Sequence, residues 1–249
     1  MKVDLSGKCA LVTGASSGFG RRFAQVLAAN GARVYAAARR LDQLETLVEE
    51  IAAEGGEAVA VQLDVSSEAA VAAAVEQMPK VDIVINNAGV AGESRALDCD
   101  EAEWRWTYDV NVHGAWFVAQ QSARRMVAQG APGTIVNIAS ITGFRPGATA
   151  AAYSSSKAAV IQLTKALAME WARHGIRVNA LAPGYFETDL NRPFLQSDYG
   201  ETMMKRIPQR RFGELPDLDG PLLLLASDAS AYMTGSVITV DGGHLCSVL

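Results

Sequence analysis

Seven short apolar runs, each followed by a helical stretch or a turn, set the tightest limit on what this chain can become. The runs cover 8–13, 32–38, 57–63, 81–86, 133–139, 176–182 and 236–240, and helical patterns fall near 19–30, 41–54, 67–77, 101–129 and 153–174. Strands alternating with helices must lie parallel, joined by right-handed crossovers that place helices on both faces of the sheet. The expected fold is therefore α/β, one doubly wound parallel sheet of about seven strands. No linker, repeat or low-complexity segment interrupts the alternation, so residues 1–249 read as a single domain, and a 49% hydrophobic content supplies a large core.

The first run, Lys8 to Thr13, passes directly into Gly14-Ala15-Ser16-Ser17-Gly18-Phe19-Gly20 and then into a helix at Arg21. Glycines let a chain turn sharply and bring bare N–H groups, at the positive end of a helix, against a pyrophosphate. Gly14, Ser16, Ser17, Gly18, Phe19 and Gly20 are accordingly candidates for a nucleotide cradle, with a ligand-free glycine turn as the plainer alternative. Their spacing is G-x-x-x-G-x-G, not the commoner G-x-G-x-x-G. The same residues satisfy G-x-S-x-G, the nucleophile elbow of serine hydrolases. That elbow follows several strands and needs a later acid and then a histidine, whereas here it follows the first run and the only late histidine is His244.

The second run bears on the choice of cofactor. NAD-binding folds place an acidic residue about twenty positions past the glycines to accept hydrogen bonds from the ribose. Ala38 stands there, followed by Arg39 and Arg40. Guanidinium donors with no carboxylate suit a 2′-phosphate, which favours NADP over NAD. The two arginines could instead simply open the solvated helix that begins at Leu41.

Tyr153 and Lys157 stand four residues apart at the start of a long helical stretch, so they share one helical face. A fixed positive charge favours a phenolate, and the pairing is expected to lower the Tyr153 pKa and fit it for general acid/base work. Ser140 closes the run Gly133–Ser140 just upstream, where its hydroxyl can hold a reacting oxygen. Asn111 interrupts an apolar helical stretch. As a poor helix former it is expected to open the ladder of backbone hydrogen bonds there and hold a water, or else to serve as a buried kink.

Thr13-Gly14 through Gly20, Asn86-Asn87-Ala88-Gly89, Asn111, Ser140, Tyr153-x-x-x-Lys157 and Pro183-Gly184 fall in the order and spacing of the short-chain dehydrogenase/reductase family, which the chain resembles from about Gly7 to Gly243. The resemblance implies a Rossmann-like sheet of order 3-2-1-4-5-6-7 and a nicotinamide-dependent oxidoreductase with Asn111, Ser140, Tyr153 and Lys157 as catalytic tetrad. It also implies that Asp64 and Val65 contact adenine, and that Asn87, Ala88 and Gly89 line the adenosine ribose. Pro183, Gly184 and Phe186 belong to the nicotinamide side, and Thr188 contacts the nicotinamide carboxamide or the pyrophosphate. Lys157 would hold the nicotinamide ribose, and a water at Asn111 would join a relay from Lys157 to solvent. The double Asn could equally tie neighbouring strands together. In the family the last strand and the helix before it pack against a second copy, so a homotetramer is expected. The nearest subgroups are secondary-alcohol or carbonyl dehydrogenases and 3-oxoacyl thioester reductases. Val90-Ala91-Gly92-Glu93-Ser94 lacks the Ile-Thr-Arg-Asp run typical of acyl-carrier-protein reductases.

Beyond Gly184 the chain reads as irregular to about Pro208, an excursion of the kind that forms active-site lids, here about 185–208. Phe144, Tyr185, Leu190, Phe194, Met203 and Met204 are candidate substrate walls or lid packing, and Arg145 is either a reader of anionic substrates or a surface charge. A net charge of −5 with both signs interspersed argues against nucleic acid. Apolar runs too short to span a bilayer and the lack of a signal-like start argue for a cytoplasmic protein acting on a small molecule, without a membrane. Three scattered cysteines and three scattered histidines suggest free thiols and no metal. A catalytically silent nucleotide-binding regulator is the remaining alternative, since fold alone does not fix function.

Overall fold

Alternate residues of a strand point to opposite faces, and here both faces are apolar, as a fully covered parallel sheet requires. The computed structural model describes residues 3–92, 94–147, 150–188, 195 and 197–247, Tyr199 by its backbone alone. Its strands are β1 (Cys9–Thr13), β2 (Arg33–Ala38), β3 (Glu57–Gln62), β4 (Ile83–Asn86), β5 (Gly133–Ile138), β6 (Ile176–Pro183) and β7 (Val237–Val240). They form one parallel sheet of order β3-β2-β1-β4-β5-β6-β7. The order reverses between β1 and β4, and the crevice at such a switch point, beyond the carboxyl ends of the strands, is where ligands bind.

The helices that follow the strands are α1 (Gly18–Ala29), α2 (Leu41–Ala53), α3 (Glu68–Gln77), α4 (Glu101–Tyr108), α5 (Ala115–Gln129) and α6 (Ala151–Trp171). Val12, Val34 and Ile85 pack with Phe23, Leu27 and Leu47 of α1 and α2 on one face. Leu11, Val84, Ile135 and Val178 pack with Val71, Val118 and Leu167 of α3, α5 and α6 on the other. Helix starts follow local chemistry. Ser67 caps α3 by accepting from the Ala70 N–H, and Asp100 caps α4 by accepting from the Glu103 N–H.

Three elements differ from the sequence reading. The helical stretch 101–129 is broken by a π-helical turn over Asp109–Gly114, centred on Asn111, so the ladder does open there. The 185–208 excursion contains a helix, Asp198–Met204, capped by Ser197. A further helix, Asp219–Ala226, precedes β7; periodicity misses it because its run of four leucines is apolar nearly all round. β7 is an edge strand bonded to β6 alone, with its side chains partly exposed. No helix among the described residues is long and apolar enough to cross a membrane.

Candidate active site

The carboxyl ends of β1 and β4 are locked together first. Thr13 Oγ1 accepts from the N–H groups of Asn87 and Ala88, both at 3.0 Å, while Asn87 Nδ2 donates to the Thr13 carbonyl at 2.9 Å. One residue earlier, at the end of β4, Asn86 Nδ2 donates to Ala115 O at 2.7 Å and to Asn137 Oδ1 at 3.2 Å, and Asn137 Nδ2 donates to Thr164 Oγ1 at 2.9 Å. Both asparagines therefore tie elements together, which is the structural task foreseen for them.

This locking leaves no room for a side chain at Gly14 or Gly20. Gly14 has φ +67°, and a Cβ on it would lie 2.8 Å from Asn87 Nδ2; a Cβ on Gly20 would overlap the Gly14 carbonyl. At these two positions the loop leading into α1 presents bare backbone. Arg40 Nη2 donates to Ser16 Oγ at 2.9 Å and Ser17 Oγ at 3.0 Å, drawing the end of β2 onto the loop. Beside them lies a cavity of about 160 Å³ lined by Gly14, Ser16, Ser17, Arg39, Arg40, Asp64, Val65, Ala88 and Gly89 among others. Nine residues picked from separate stretches of sequence meet there. Ser66 holds the Asp64 carboxyl below the usual carboxylate range through hydrogen bonds to Oδ1 from its hydroxyl and N–H. Bare backbone at Gly14 and Gly20, together with two hydroxyls and two guanidiniums, fits the phosphate-bearing half of a dinucleotide.

The second half of the site lies at the end of β5 and the start of α6. Ser140 follows β5 and caps a single 3₁₀ turn, Ile141–Gly143; its Oγ accepts from the Thr142 N–H at 3.1 Å and lies 2.9 Å from Thr142 Oγ1. Tyr153 is the third residue of α6. Burial pushes its phenol above the usual range, and a hydrogen bond from Ser140 pulls it down. Lys157 Nζ sits 5.6 Å from the Tyr153 ring centre and donates to Ile138 O at 2.9 Å. Burial of the ammonium lowers Lys157 to about 8. The expected lowering of the phenol by Lys157 is thus corrected: Ser140 supplies the downward pull, because the ammonium is directed at a backbone carbonyl and is itself desolvated.

Asn111 is 1% exposed. Its Oδ1 accepts from the Val90 N–H, and its Nδ2 donates to Val90 O, each at 2.8 Å, and to Ser156 Oγ at 2.9 Å. Ser156 Oγ in turn donates to Tyr153 O at 2.7 Å. The amide therefore clamps the loop after β4 to α6 with both its N–H groups and one Oδ1 lone pair. Thr142 and Ser156 are the functional neighbours that the sequence reading passed over. Their only signal is position, two residues after Ser140 and one before Lys157.

Around this core the outcomes divide. Gly184 follows Pro183 and donates its N–H to Val240 O at 2.9 Å, anchoring the turn out of β6. The Phe186 ring is buried edge-on against Phe19, centroids 5.4 Å apart, with its backbone bridged to Gly213, so the ring packs the loop. Thr188 Cγ2 lies 4.0 Å from where a Cβ on Gly18 would stand, above the glycine loop. The Tyr185 ring packs tilted against His244, centroids 5.5 Å apart, and its charge would act on Tyr153. Met203 is buried, Met204 half-buried, and Phe144 half-exposed. Leu190 and Phe194 lie outside the described residues. Arg145 donates to His244 O at 2.9 Å and Ser247 O at 3.2 Å, which corrects its reading as a reader of anionic substrates: its hydrogen bonds pin the C-terminal turn. Ser16 Oγ accepts from Arg40 rather than meeting a histidine, so it has no triad.

A larger cavity, about 780 Å³, lies at the opposite edge of the sheet among the amino ends of β1, β4, β5 and β6, lined by Lys8, Asp82, Gly133 and Ile176. None of the candidate residues reaches it, so size does not select the site.

The sequence profile described as short chain dehydrogenase matches residues 8–198. The chain is 42% identical to galactitol 2-dehydrogenase (L-tagatose-forming) of Cereibacter sphaeroides, with 96% of each chain covered. It is 38% identical to 2-dehydro-3-deoxy-D-gluconate 5-dehydrogenase of Dickeya dadantii, with 97% of each covered. The crystal structure of a gluconate 5-dehydrogenase from Burkholderia cenocepacia in complex with NADP and tartrate superposes with a TM-score of 0.94 at 36% identity, covering 99% of this chain and 98% of that one.

Proposed function

Since this chain belongs to the short-chain dehydrogenase/reductase family and is an oxidoreductase acting on CH–OH groups, we propose that it interconverts a secondary alcohol and a ketone with NADP(H), with Tyr153 as general acid and base. The observation that carries the reading is the meeting of Ser140, Tyr153 and Lys157 at the end of β5, on the same carboxyl edge of the sheet as the glycine-loop cavity. When bound, the nicotinamide supplies or accepts the hydride.

The chain's own groups divide the remaining work. Backbone N–H groups from Gly14 to Gly20 hold the pyrophosphate, and Asp64, Val65, Asn87, Ala88 and Gly89 enclose the adenosine. Arg39 meets the 2′-phosphate from a side chain with no hydrogen bond or ion pair of its own among the described residues, while Arg40 braces the loop. Pro183, Gly184, Phe186 and Thr188 enclose the nicotinamide side. Ser140 orients the reacting oxygen, and Tyr153 gives it a proton in reduction and removes one in oxidation. Lys157 holds the nicotinamide ribose, and Asn111 keeps the opened helical turn beside it, where a water can join the relay to solvent. NADP in the related Burkholderia structure supports the cofactor choice.

The substrate class follows from the relatives, which act on a polyol and a sugar acid. A polyhydroxylated alcohol or acid is therefore preferred to a 3-oxoacyl thioester. The described residues of the 185–208 stretch belong to a substrate lid, while 189–194 and 196 of that expected lid lie outside the described residues; the single domain assembles as a homotetramer in the cytoplasm, where three free thiols are at home. The testing experiment follows NADP reduction with galactitol, gluconate and other polyols, and NADPH oxidation with 3-oxoacyl thioesters. Turnover of the polyols or acids sustains the proposal, and turnover of thioesters alone overturns it.

A further inference from the structure

We infer that Thr142 is a positioning residue that makes Ser140 a one-directional hydrogen-bond donor toward Tyr153 and the reacting oxygen. The inference rests on the reading of Ser140 and Tyr153 as the active site. A serine hydroxyl has one proton and two lone pairs. One lone pair of Ser140 Oγ is filled by the Thr142 N–H at 3.1 Å, whose direction is fixed by the 3₁₀ turn. The contact between the two hydroxyls at 2.9 Å can run either way. If Ser140 donated to Thr142, its single proton would be turned away from Tyr153.

Among the described residues the Thr142 hydroxyl meets no acceptor but Ser140 Oγ, and a Ser140 proton left free to face the phenol is the arrangement that pulls Tyr153 down. Both contacts coexist only when the Thr142 hydroxyl donates. Ser140 then takes two hydrogen bonds from Thr142 and gives one into the cleft. Its lone pairs are full, so its proton has one remaining direction, and the relay from Thr142 to Ser140 to Tyr153 polarises each member in turn. Thr142 touches neither Tyr153 nor Lys157 in any hydrogen bond, so it acts through Ser140 alone. Substitution of its side chain leaves the backbone N–H in place, which isolates the contribution of the hydroxyl.

The test compares Thr142→Val, nearly isosteric, with Thr142→Ser, each alone and in a Ser140→Ala background. Two readouts are taken: the pH dependence of kcat for oxidation of galactitol or gluconate, and the ultraviolet titration of the phenol in cofactor-free protein with Tyr153→Phe subtracted. Thr142→Val should keep KM and melting temperature, lose about three- to tenfold in kcat below the midpoint, and move both midpoints upward. Thr142→Ser should restore them. In the Ser140→Ala background Thr142→Val should add nothing. If Thr142→Val unfolds, Thr142→Ala against Thr142→Ser makes the same comparison. Unchanged midpoints, or a loss that persists in full without Ser140, would overturn the inference while leaving the active-site reading intact. A Ser140→Ala enzyme with normal kcat would remove that reading, and the inference with it.

Discussion

The ammonium of Lys157 lies 5.6 Å from the centre of the Tyr153 ring, yet its hydrogen bond goes to the carbonyl of Ile138. The two residues are neighbours one helical turn apart, and the cation is held against the end of β5 as well as beside the phenol. Without a carboxylate partner, a buried ammonium is costly, and that cost can be measured.

Burial lowers Lys157 from an ordinary 10.5 to about 8. Below the folded value the side chain is protonated in both states and destabilises the fold; between the two values only the unfolded chain binds the proton, so stability rises with pH; above 10.5 the penalty is gone. Lys157→Met should therefore make the cofactor-free protein more stable at pH 7, by up to about 3 kcal/mol. The gain should shrink as pH rises toward 10, and NADPH binding should weaken. Urea unfolding at several pH values checks the first effect, and fluorescence titration the second.

Arg39 and Arg40 line one cavity but differ in engagement, because only Arg40 is bonded to Ser16 and Ser17. Arg39→Ala should weaken NADPH about tenfold or more relative to NADH, since a charge-assisted hydrogen bond is worth about 1.5–3 kcal/mol and only NADPH has the extra phosphate. Arg40→Ala should weaken both cofactors by loosening the glycine loop. Equal weakening of both by Arg39→Ala, in a paired affinity titration, would make Arg39 a surface charge.

The buried chain from Asn86 through Asn137 to Thr164 ties β4 and β5 to α6. Asn137→Ala leaves an amide proton and a hydroxyl lone pair without partners, at a cost of about 1–3 kcal/mol. Denaturant unfolding should show that loss, while KM for NADPH changes little.

β7 is an unpaired edge, and such edges are covered in stable proteins. A homotetramer is expected by light scattering at working concentration, and Thr239→Pro, which removes a backbone donor from this strand, should shift the distribution toward smaller species.

The fold was legible because the period changed cleanly between strand and helix, and because both faces of the sheet are covered, so apolar runs read without ambiguity. The helix Asp219–Ala226 was not legible, since four successive leucines carry no period. Tyr153 and Lys157 are legible by their i, i+4 spacing, Ser140 and Asn111 by their places at a run's end and inside an apolar helical stretch, and the four as one set by the family resemblance. Their hydrogen-bond partners are not: nothing in the sequence says that the Ile138 carbonyl accepts a hydrogen bond from Lys157, that Ser156 joins Asn111 to Tyr153, or that Thr142 faces Ser140. Arg145 looked free as a residue in a loop, but its partners lie about a hundred positions away in the C-terminal turn, a distance that local patterns do not span.

The central claim is that Tyr153 moves the proton. Tyr153→Phe removes one oxygen and keeps the ring that packs beside Lys157, so NADPH affinity should remain within about twofold of the parent. General acid/base catalysis contributes about a hundredfold to ten-thousandfold, and kcat should fall by at least about a hundredfold with melting temperature unchanged. Measuring kcat and NADPH affinity on the same folded Tyr153→Phe protein decides it. Loss of turnover with retained binding is the predicted result; near-normal turnover would contradict the account.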